Sequence, residues 1–374
     1  MRRRDYFPLG LATGLAFCNR HDETDVLINN ISNGKHTVLM ATRRYGKSSL
    51  ALHALKRSKF AYAEVDFYMA RNEKTVESYI LNGVVELIGK ALGPVDQLIT
   101  SIKKFVKSLQ PKLNIGVGNI QLELTSTADV DPANNIKEAL LLLERLLEEK
   151  KQPAVLLFDE FQAVGVIAQG QGIEGAIRHV AQKTKYLSFI FSGSNRKLLK
   201  NMFEDEARPL YKLCWKLSLT RIKMNYYQTH LQAAALSAWG QKLTDSVIDK
   251  IVSITERHPY YFNKLCDRLW AVFQKPPSVK QIEEIWLGII CEEKSDAVKE
   301  ISLLSLGQKN VLVQIAKNPL LSLTSKQAML NMQITSSSIV AALEGLEEKD
   351  IIEKEDNRYQ IINPIVKFYV LKNE

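Results

Sequence analysis

Cysteine is scarce in this chain and nowhere paired. Four cysteines, Cys18, Cys214, Cys266 and Cys291, are spread through 374 residues. Their spacing fits neither a zinc site nor a dithiol redox motif, and a reduced, cytoplasmic protein is the simplest expectation. No apolar run approaches the ~18 residues needed to span a bilayer, so no membrane partner is expected. There is no internal repeat and no low-complexity tract, which argues against solenoid and collagen-like architectures. Arg2, Arg3 and Arg4 ahead of the mostly apolar stretch 6–18 imitate a secretory signal. Asp5, Pro8, Gly10 and Gly14 interrupt that pattern and no small-x-small cleavage site closes it, so export is not expected.

What is present is the balance of an ordinary globular protein, 46% hydrophobic and 24% charged. At roughly 100–200 residues per domain, the length predicts two or three domains, each with its own core. Fifty basic and 41 acidic residues give a net charge of +9. Most of the excess lies at the amino end, where residues 1–60 hold 11 Lys or Arg against 4 Asp or Glu. Residues 301–374 hold 8 of each and are neutral. An excess of this size permits contact with nucleic acid without requiring it.

Hydrophobic periodicity predicts strands at 36–40, 60–68, 154–158 and 187–191, with helices at 48–55, 74–92, 95–109, 135–150 and 172–184 between them. The continuous apolar run 154–158 fits the buried centre of a parallel sheet. Residues 113–124 alternate and predict a hairpin within an inserted region at about 93–130. Strands alternating with helices predict a parallel α/β domain over 1–222. Helical patterns at 228–239, 244–255, 259–273 and 279–299 predict a helical domain over 223–302. Over 303–374, helices at 306–317, 324–331 and 335–348 precede strands 351–354 and 359–362 with a turn at Asp356-Asn357. That order is the order of a winged helix.

The strongest motif is Ala41-Thr42-Arg43-Arg44-Tyr45-Gly46-Lys47-Ser48, between a strand and a helix. That placement lets turn N–H groups and the positive end of the helix dipole converge on a phosphate. Lys47 would neutralise β and γ oxygens, and the Ser48 hydroxyl would ligate Mg²⁺. Ala41 occupies the first glycine position of G-x-x-x-x-G-K-[ST], which a small residue can fill if the turn does not need positive φ there. A second motif is the apolar strand that ends in Asp159-Glu160. Asp159 is suited to the Mg²⁺ shell and Glu160 to polarising the water that attacks a γ-phosphate. Together the two predict binding of a nucleotide with Mg²⁺.

The sequence resembles the archaeal-ATPase group of P-loop ATPases, in the STAND branch of the AAA+ superfamily. The resemblance rests on Phe17-Cys18-Asn19-Arg20 with Glu23, Arg43 to Leu50, and Asp159-Glu160-Phe161-Gln162. It continues through Phe191-Ser192-Gly193-Ser194, Arg208-Pro209-Leu210-Tyr211 and His258-Pro259-Tyr260. It implies a P-loop NTPase core, a helical lid and a winged helix. It further implies that Phe17 to Arg20 lie against adenine, that Arg43, Arg44, Tyr45, Gly46, Lys47, Ser48 and Ser49 form the phosphate loop, and that His258-Pro259 touches the nucleotide. Ser192 or Ser194 would sense the γ-phosphate. Phe17 could equally cover a sheet edge, and a strand-end serine is otherwise a turn residue. Arg257 stands where the family has glycine, as a surface residue or as a cation reaching phosphate. Arg208 would complete a neighbouring subunit's site or be held in a local ion pair. Arg178 and Gln182, one helical turn apart, point to an interface or to support of the site.

These features define two main functional expectations, beside a scaffold that binds nucleotide without turning it over, which the intact Glu160 argues against. In the first, an ATPase acts as a nucleotide-dependent switch, with slow hydrolysis and a winged helix that contacts a protein partner or a second copy. In the second, an ATP-regulated protein binds DNA, as origin-recognition AAA+ proteins do. The third helix of the winged helix opens with Thr335 and three serines and carries Glu344, Glu347 and Glu348, so it lacks the cations that give strong DNA affinity.

Overall fold

The computed structural model of the chain describes residues 5–92, 112–116, 119–123, 131–167, 171–317, 323–355 and 358–372. The sequence-predicted helix 95–109, the turn at Asp356-Asn357 and the basic Arg2 to Arg4 lie outside these residues. The chain divides into two compact units. One comprises His21–Ala41 and Leu50–Leu219, the other Met1–Arg20, Thr42–Ser49 and Thr220–Glu374.

The first unit is built on five parallel strands: β1 (Thr37–Met40), β2 (Ala61–Asp66), β5 (Ala154–Asp159), β6 (Leu187–Ser192) and β7 (Trp215–Ser218), in the order β2-β5-β6-β1-β7. The inner strands are buried and largely apolar because both of their faces are covered. On one face Val38, Leu156, Phe158, Phe189 and Phe191 join a core with the helices Glu73–Leu92, Pro132–Lys150 and Gln171–Ala181. The alternate residues Leu39, Val155, Leu157 and Ile190 lie outside that core and are equally buried. The helix Pro132–Lys150 starts three residues before its sequence-predicted position, because Asp131 caps it by accepting from Ala133 N at 3.0 Å and Pro132 supplies a preset φ. Its Leu140, Leu143 and Leu147 are fully buried, each stabilising the core by about 1.5–3 kcal/mol. Glu144 on the same helix is also buried, and its carboxylate accepts from the N–H groups of Lys185, Tyr186 and Leu187. The expected hairpin is present as β3 (Lys112–Gly116) antiparallel to β4 (Asn119–Glu123).

Two elements of this unit have no clear sequence signal. The helix His21–Ser32 buries Thr24, Leu27, Asn30 and Ile31, and two of those four are polar. Strand β7 is a four-residue edge with Trp215 58% exposed, so neither alternation nor a continuous apolar run marks it.

The second unit is mainly helical. Helices Met224–Trp239, Asp245–Ile254, Pro259–Val272 and Val279–Glu292 share one core with Leu306–Lys317, Ser336–Glu348 and the antiparallel pair β8 (Ile352–Glu355) and β9 (Arg358–Ile361). Gly240, at φ 65°, closes the first of these helices in the left-handed conformation that glycine tolerates. The sequence-predicted helix 279–299 is two helices, Val279–Glu292 and Lys294–Ser302. Glu293 marks the break, where its carboxylate takes the Tyr261 hydroxyl at 3.0 Å and the Lys264 ammonium. A final helix, Pro364–Lys372, follows β9 and was not foreseen. Asn363 starts it by accepting from Ile365 N at 2.9 Å. The molecule therefore combines a P-loop-NTPase-type parallel sheet flanked by helices with a helical segment and a carboxyl-terminal winged helix. No helix among the described residues is long and apolar enough to cross a membrane.

Candidate nucleotide site

Strand β1 runs directly into the Gly-Lys-Ser loop. Arg44 at φ 65° and Gly46 at φ 86° take the left-handed positions of this loop, and Ala41 is not among the positive-φ residues, so an alanine suffices there. Lys47 opens the helix Lys47–Ser58, is 8% exposed, and donates to the Thr42 carbonyl at 3.3 Å. Ser48 is half-buried and Arg43 exposed. Ser49 is buried, and its hydroxyl accepts from Ala12 N at 3.0 Å. Arg20 is buried and donates to the carbonyls of Tyr45 and Thr220, both at 3.0 Å, so its head group holds the loop backbone. Phe17 is half-buried just after the short turn Gly14–Ala16.

The winged helix also reaches this loop, through a residue that the sequence reading missed. Glu353 of β8 is 7% exposed and accepts from Thr42 Oγ1 at 3.0 Å, Tyr45 OH at 2.6 Å, Arg221 Nε at 2.9 Å and Gln360 Nε2 at 2.9 Å. Tyr45 is therefore turned onto a carboxylate, and burial together with Glu353 raises its hydroxyl pKa despite Arg221. Arg221 is buried and uses its whole fork. Nε also meets Tyr45 OH, Nη1 bonds the Glu256 carbonyl at 2.7 Å, and Nη2 bonds the carbonyls of Ile361 and Ile362. Burial would lower the Arg221 pKa, but Tyr45, Glu353 and Glu256 outweigh it and leave it raised. No local pattern singles out either residue, since Arg221 follows Thr220 and Glu353 is followed by Lys354 and Glu355.

His258 caps the helix Pro259–Val272, with Pro259 at its first position, and lies edge-on to the Tyr45 ring at 5.0 Å. Arg44 covers the Tyr260 ring at 4.0 Å. Arg257 is partly exposed and pairs with Glu355 at 3.3 Å. Burial, then the charges of Arg221 and Arg44, lower the His258 pKa to about 3. A group depressed in the folded state stabilises fully above its unfolded value, near 6.5, and loses that contribution as pH falls towards 3. His36 and His230, lowered mainly by burial, act with the same sign, whereas Glu77 and Glu174, raised by burial, act with the opposite one. Comparison with His258→Gln isolates the histidine. The drop in melting temperature between pH 7.5 and pH 5 should shrink in the variant, and an unchanged drop would contradict this assignment.

In the first unit the acidic strand end is built from neighbouring strands. Leu39 of β1 pairs with Ser192 of β6, and Phe191 of β6 pairs with Phe158 of β5, so the carboxyl ends of β1 and β5 flank that of β6. Ser192 Oγ donates to Asp159 Oδ1, which also accepts from Glu160 N at 3.0 Å. A carboxylate oriented by such donors suits a metal ligand. Glu160 itself sits at φ 49°, a conformation that costs on the order of 1 kcal/mol or more for a residue with a side chain. Its carboxylate meets Ser194 and Gln162. Phe161 anchors the turn inside a cluster with Phe158, Phe191 and Phe67.

Arg208 pairs with Glu174, which is fully buried, and Arg178 donates to the carbonyls of Pro209 and Tyr211. Gln182 is exposed. Among the described residues, no three His, Cys, Asp or Glu side chains gather as a metal site.

The comparisons follow the same architecture. Residues 298–372 match a family model described as a probable winged helix domain. Among solved structures, a Walker-type ATPase of Pyrococcus abyssi has 19% identity and a TM-score of 0.63, over 97% of this chain and 98% of that one. The Aeropyrum pernix ORC2 protein, in ADPNP-ADP complexes, has 14% identity and a TM-score of 0.56, over 99% and 96%. The A. pernix ORC1 protein in complex with DNA has 12% identity and a TM-score of 0.50, over 100% and 96%. At these identities the likeness shows the fold alone. No curated protein matches the sequence.

Proposed function

We propose that this chain binds ATP with Mg²⁺, hydrolyses it slowly, and uses the bound nucleotide to switch the state of its winged helix. Its place in the STAND branch is part of this reading and rests on the motifs above. Lys47 and the loop amides hold the phosphates, with Phe17, Arg20 and His258-Pro259 around the nucleotide. Ser48 and Asp159 are the oxygen donors for Mg²⁺, which supplies charge neutralisation on the phosphates. Glu160 orients the attacking water.

The observation that carries the reading is Glu353. A winged-helix carboxylate is hydrogen-bonded to Thr42 and Tyr45 of the phosphate loop. A triphosphate entering that loop draws on the same Thr42 and Tyr45 hydroxyls that Glu353, itself paired with Arg221, now engages. Nucleotide binding and the Glu353 contact therefore oppose each other, and by linkage each weakens the other.

Glu160→Gln tests both halves of the proposal. Phosphate release should fall about 100-fold or more, the scale of a lost general base, with ATP affinity retained. In the ATP-loaded variant the amides of Ile352–Glu355 should exchange hydrogen faster than in its nucleotide-free form. Unchanged phosphate release removes the hydrolytic role, and unchanged exchange removes the switch.

A second reading gives the switch a DNA output, and the comparisons support it better than a protein output, since one similar chain is described in complex with DNA. The exposed side of the helix Ser336–Glu348, with Ser337, Val340 and Glu344, presents no base. Lys326, Lys354 and Arg358 are exposed cations of the winged helix. An anisotropy titration separates the outputs, because DNA binding must weaken steeply with salt.

A further inference from the structure

The carboxylate of Glu160 is held by more donors than a turn residue requires. Ser194 Oγ at 2.7 Å, Ser194 N at 3.2 Å and Gln162 Nε2 all bond its Oε2, and none of these donors reaches Oε1. Gln162 Nε2 also approaches Ser194 Oγ at 3.5 Å, so the two clamping side chains touch each other. The Gln162 amide is fixed in turn by Gly193, where an added Cβ would lie 1.9 Å from Gln162 Oε1. That Oε1 is buried and has no hydrogen-bond partner among the described residues. The chain thus leaves one amide acceptor unsatisfied and one non-glycine residue at positive φ in order to keep this arrangement. Strain of this kind persists only where the surroundings over-determine it, and it concentrates at working sites.

From this we infer that Gln162 and Ser194 are positioning residues for Glu160. They tie down Oε2 and present Oε1 as the oxygen that takes the proton of the attacking water. The inference rests on the hydrolytic reading of Glu160 and extends it. It also divides the two strand-end serines. Ser192 orients Asp159 and Ser194 orients Glu160, so neither hydroxyl needs to contact the γ-phosphate directly.

The test is single-turnover and steady-state ATP hydrolysis by the full chain with Mg²⁺, in wild type, Glu160→Gln, Gln162→Ala, Ser194→Ala and Ser194→Thr. Misplacing a reacting group by about 1 Å costs on the order of 100-fold. Gln162→Ala and Ser194→Ala should therefore each lower kcat about 10- to 100-fold, while KM and the Kd for ATP change less than about threefold. Ser194→Thr, which keeps the hydroxyl, should recover most of the rate. In a Glu160→Gln background, neither substitution should lower the residual rate further, because groups that act as one unit are not additive. A kcat equal to or above wild type in both alanine variants overturns the inference. So does a loss that persists undiminished when Glu160 is already glutamine. If Glu160→Gln itself leaves wild-type turnover intact, the hydrolytic reading fails and this inference fails with it. If Glu160→Gln abolishes turnover and the clamp variants do not reduce it, only the positioning role fails.

Discussion

Replacing Arg221 with alanine should destabilise the unit formed by the phosphate loop and residues 220–374 by about 3–5 kcal/mol, the cost of stranding a buried charge. Arg221 is 3% exposed and its donors go to Tyr45, Glu353, Glu256 and the carbonyls of Ile361 and Ile362. Removing it leaves Glu353 without its cation and the carbonyls of Ile361 and Ile362 without this donor. At roughly 2–4 °C per kcal/mol for a unit of this size, the melting temperature should fall by about 10 °C. Lysine should rescue little, since one ammonium cannot reproduce a planar fork with five donors. The pair Arg221→Met with Glu353→Leu should be more stable than Arg221→Ala, because no unpaired charge stays buried. Scanning calorimetry of the three variants checks this, and an Arg221→Ala loss under about 1 kcal/mol would contradict the role given to the network.

The second large effect concerns binding. Lys47→Ala should weaken ATP at least about 100-fold, or ~2.8 kcal/mol at 1.4 kcal/mol per decade. The ammonium is buried at the start of its helix, at the Thr42 carbonyl. There it adds a full charge to the partial one of the helix end, against a ligand that carries several negative charges. ADP, with one phosphate fewer for Lys47 to neutralise, should lose less. Equilibrium dialysis with both nucleotides checks the order. Equal losses for ADP and ATP would place the ammonium away from the terminal phosphate.

Features carried by neighbouring residues were legible in the sequence. The strand-loop-helix at Ala41 to Ser48 and the strand ending in Asp159-Glu160 each present their pattern within ten residues, and the inner strands are largely apolar because a two-sided parallel sheet leaves no polar face. Features made by distant pairs were not legible. Arg221 and Glu353 are 132 positions apart, and nothing local distinguishes either from an ordinary charged residue. The edge strand β7 escaped because half-exposed edges lose both periodicities, and the break at Glu293 because Tyr261 and Lys264, which hold it, lie on another helix. Gln162 was visible as part of a motif, but its contacts with Gly193 and Ser194 arise only where the pairing of β5 with β6 brings these residues alongside.

The most direct measurement is a calorimetric titration of the wild-type chain with ATP in the presence of Mg²⁺. A loop that grips the triphosphate should give a saturable heat with one nucleotide per chain, lost in Lys47→Ala. No heat in the wild type, or the same binding curve in both proteins, would contradict the account.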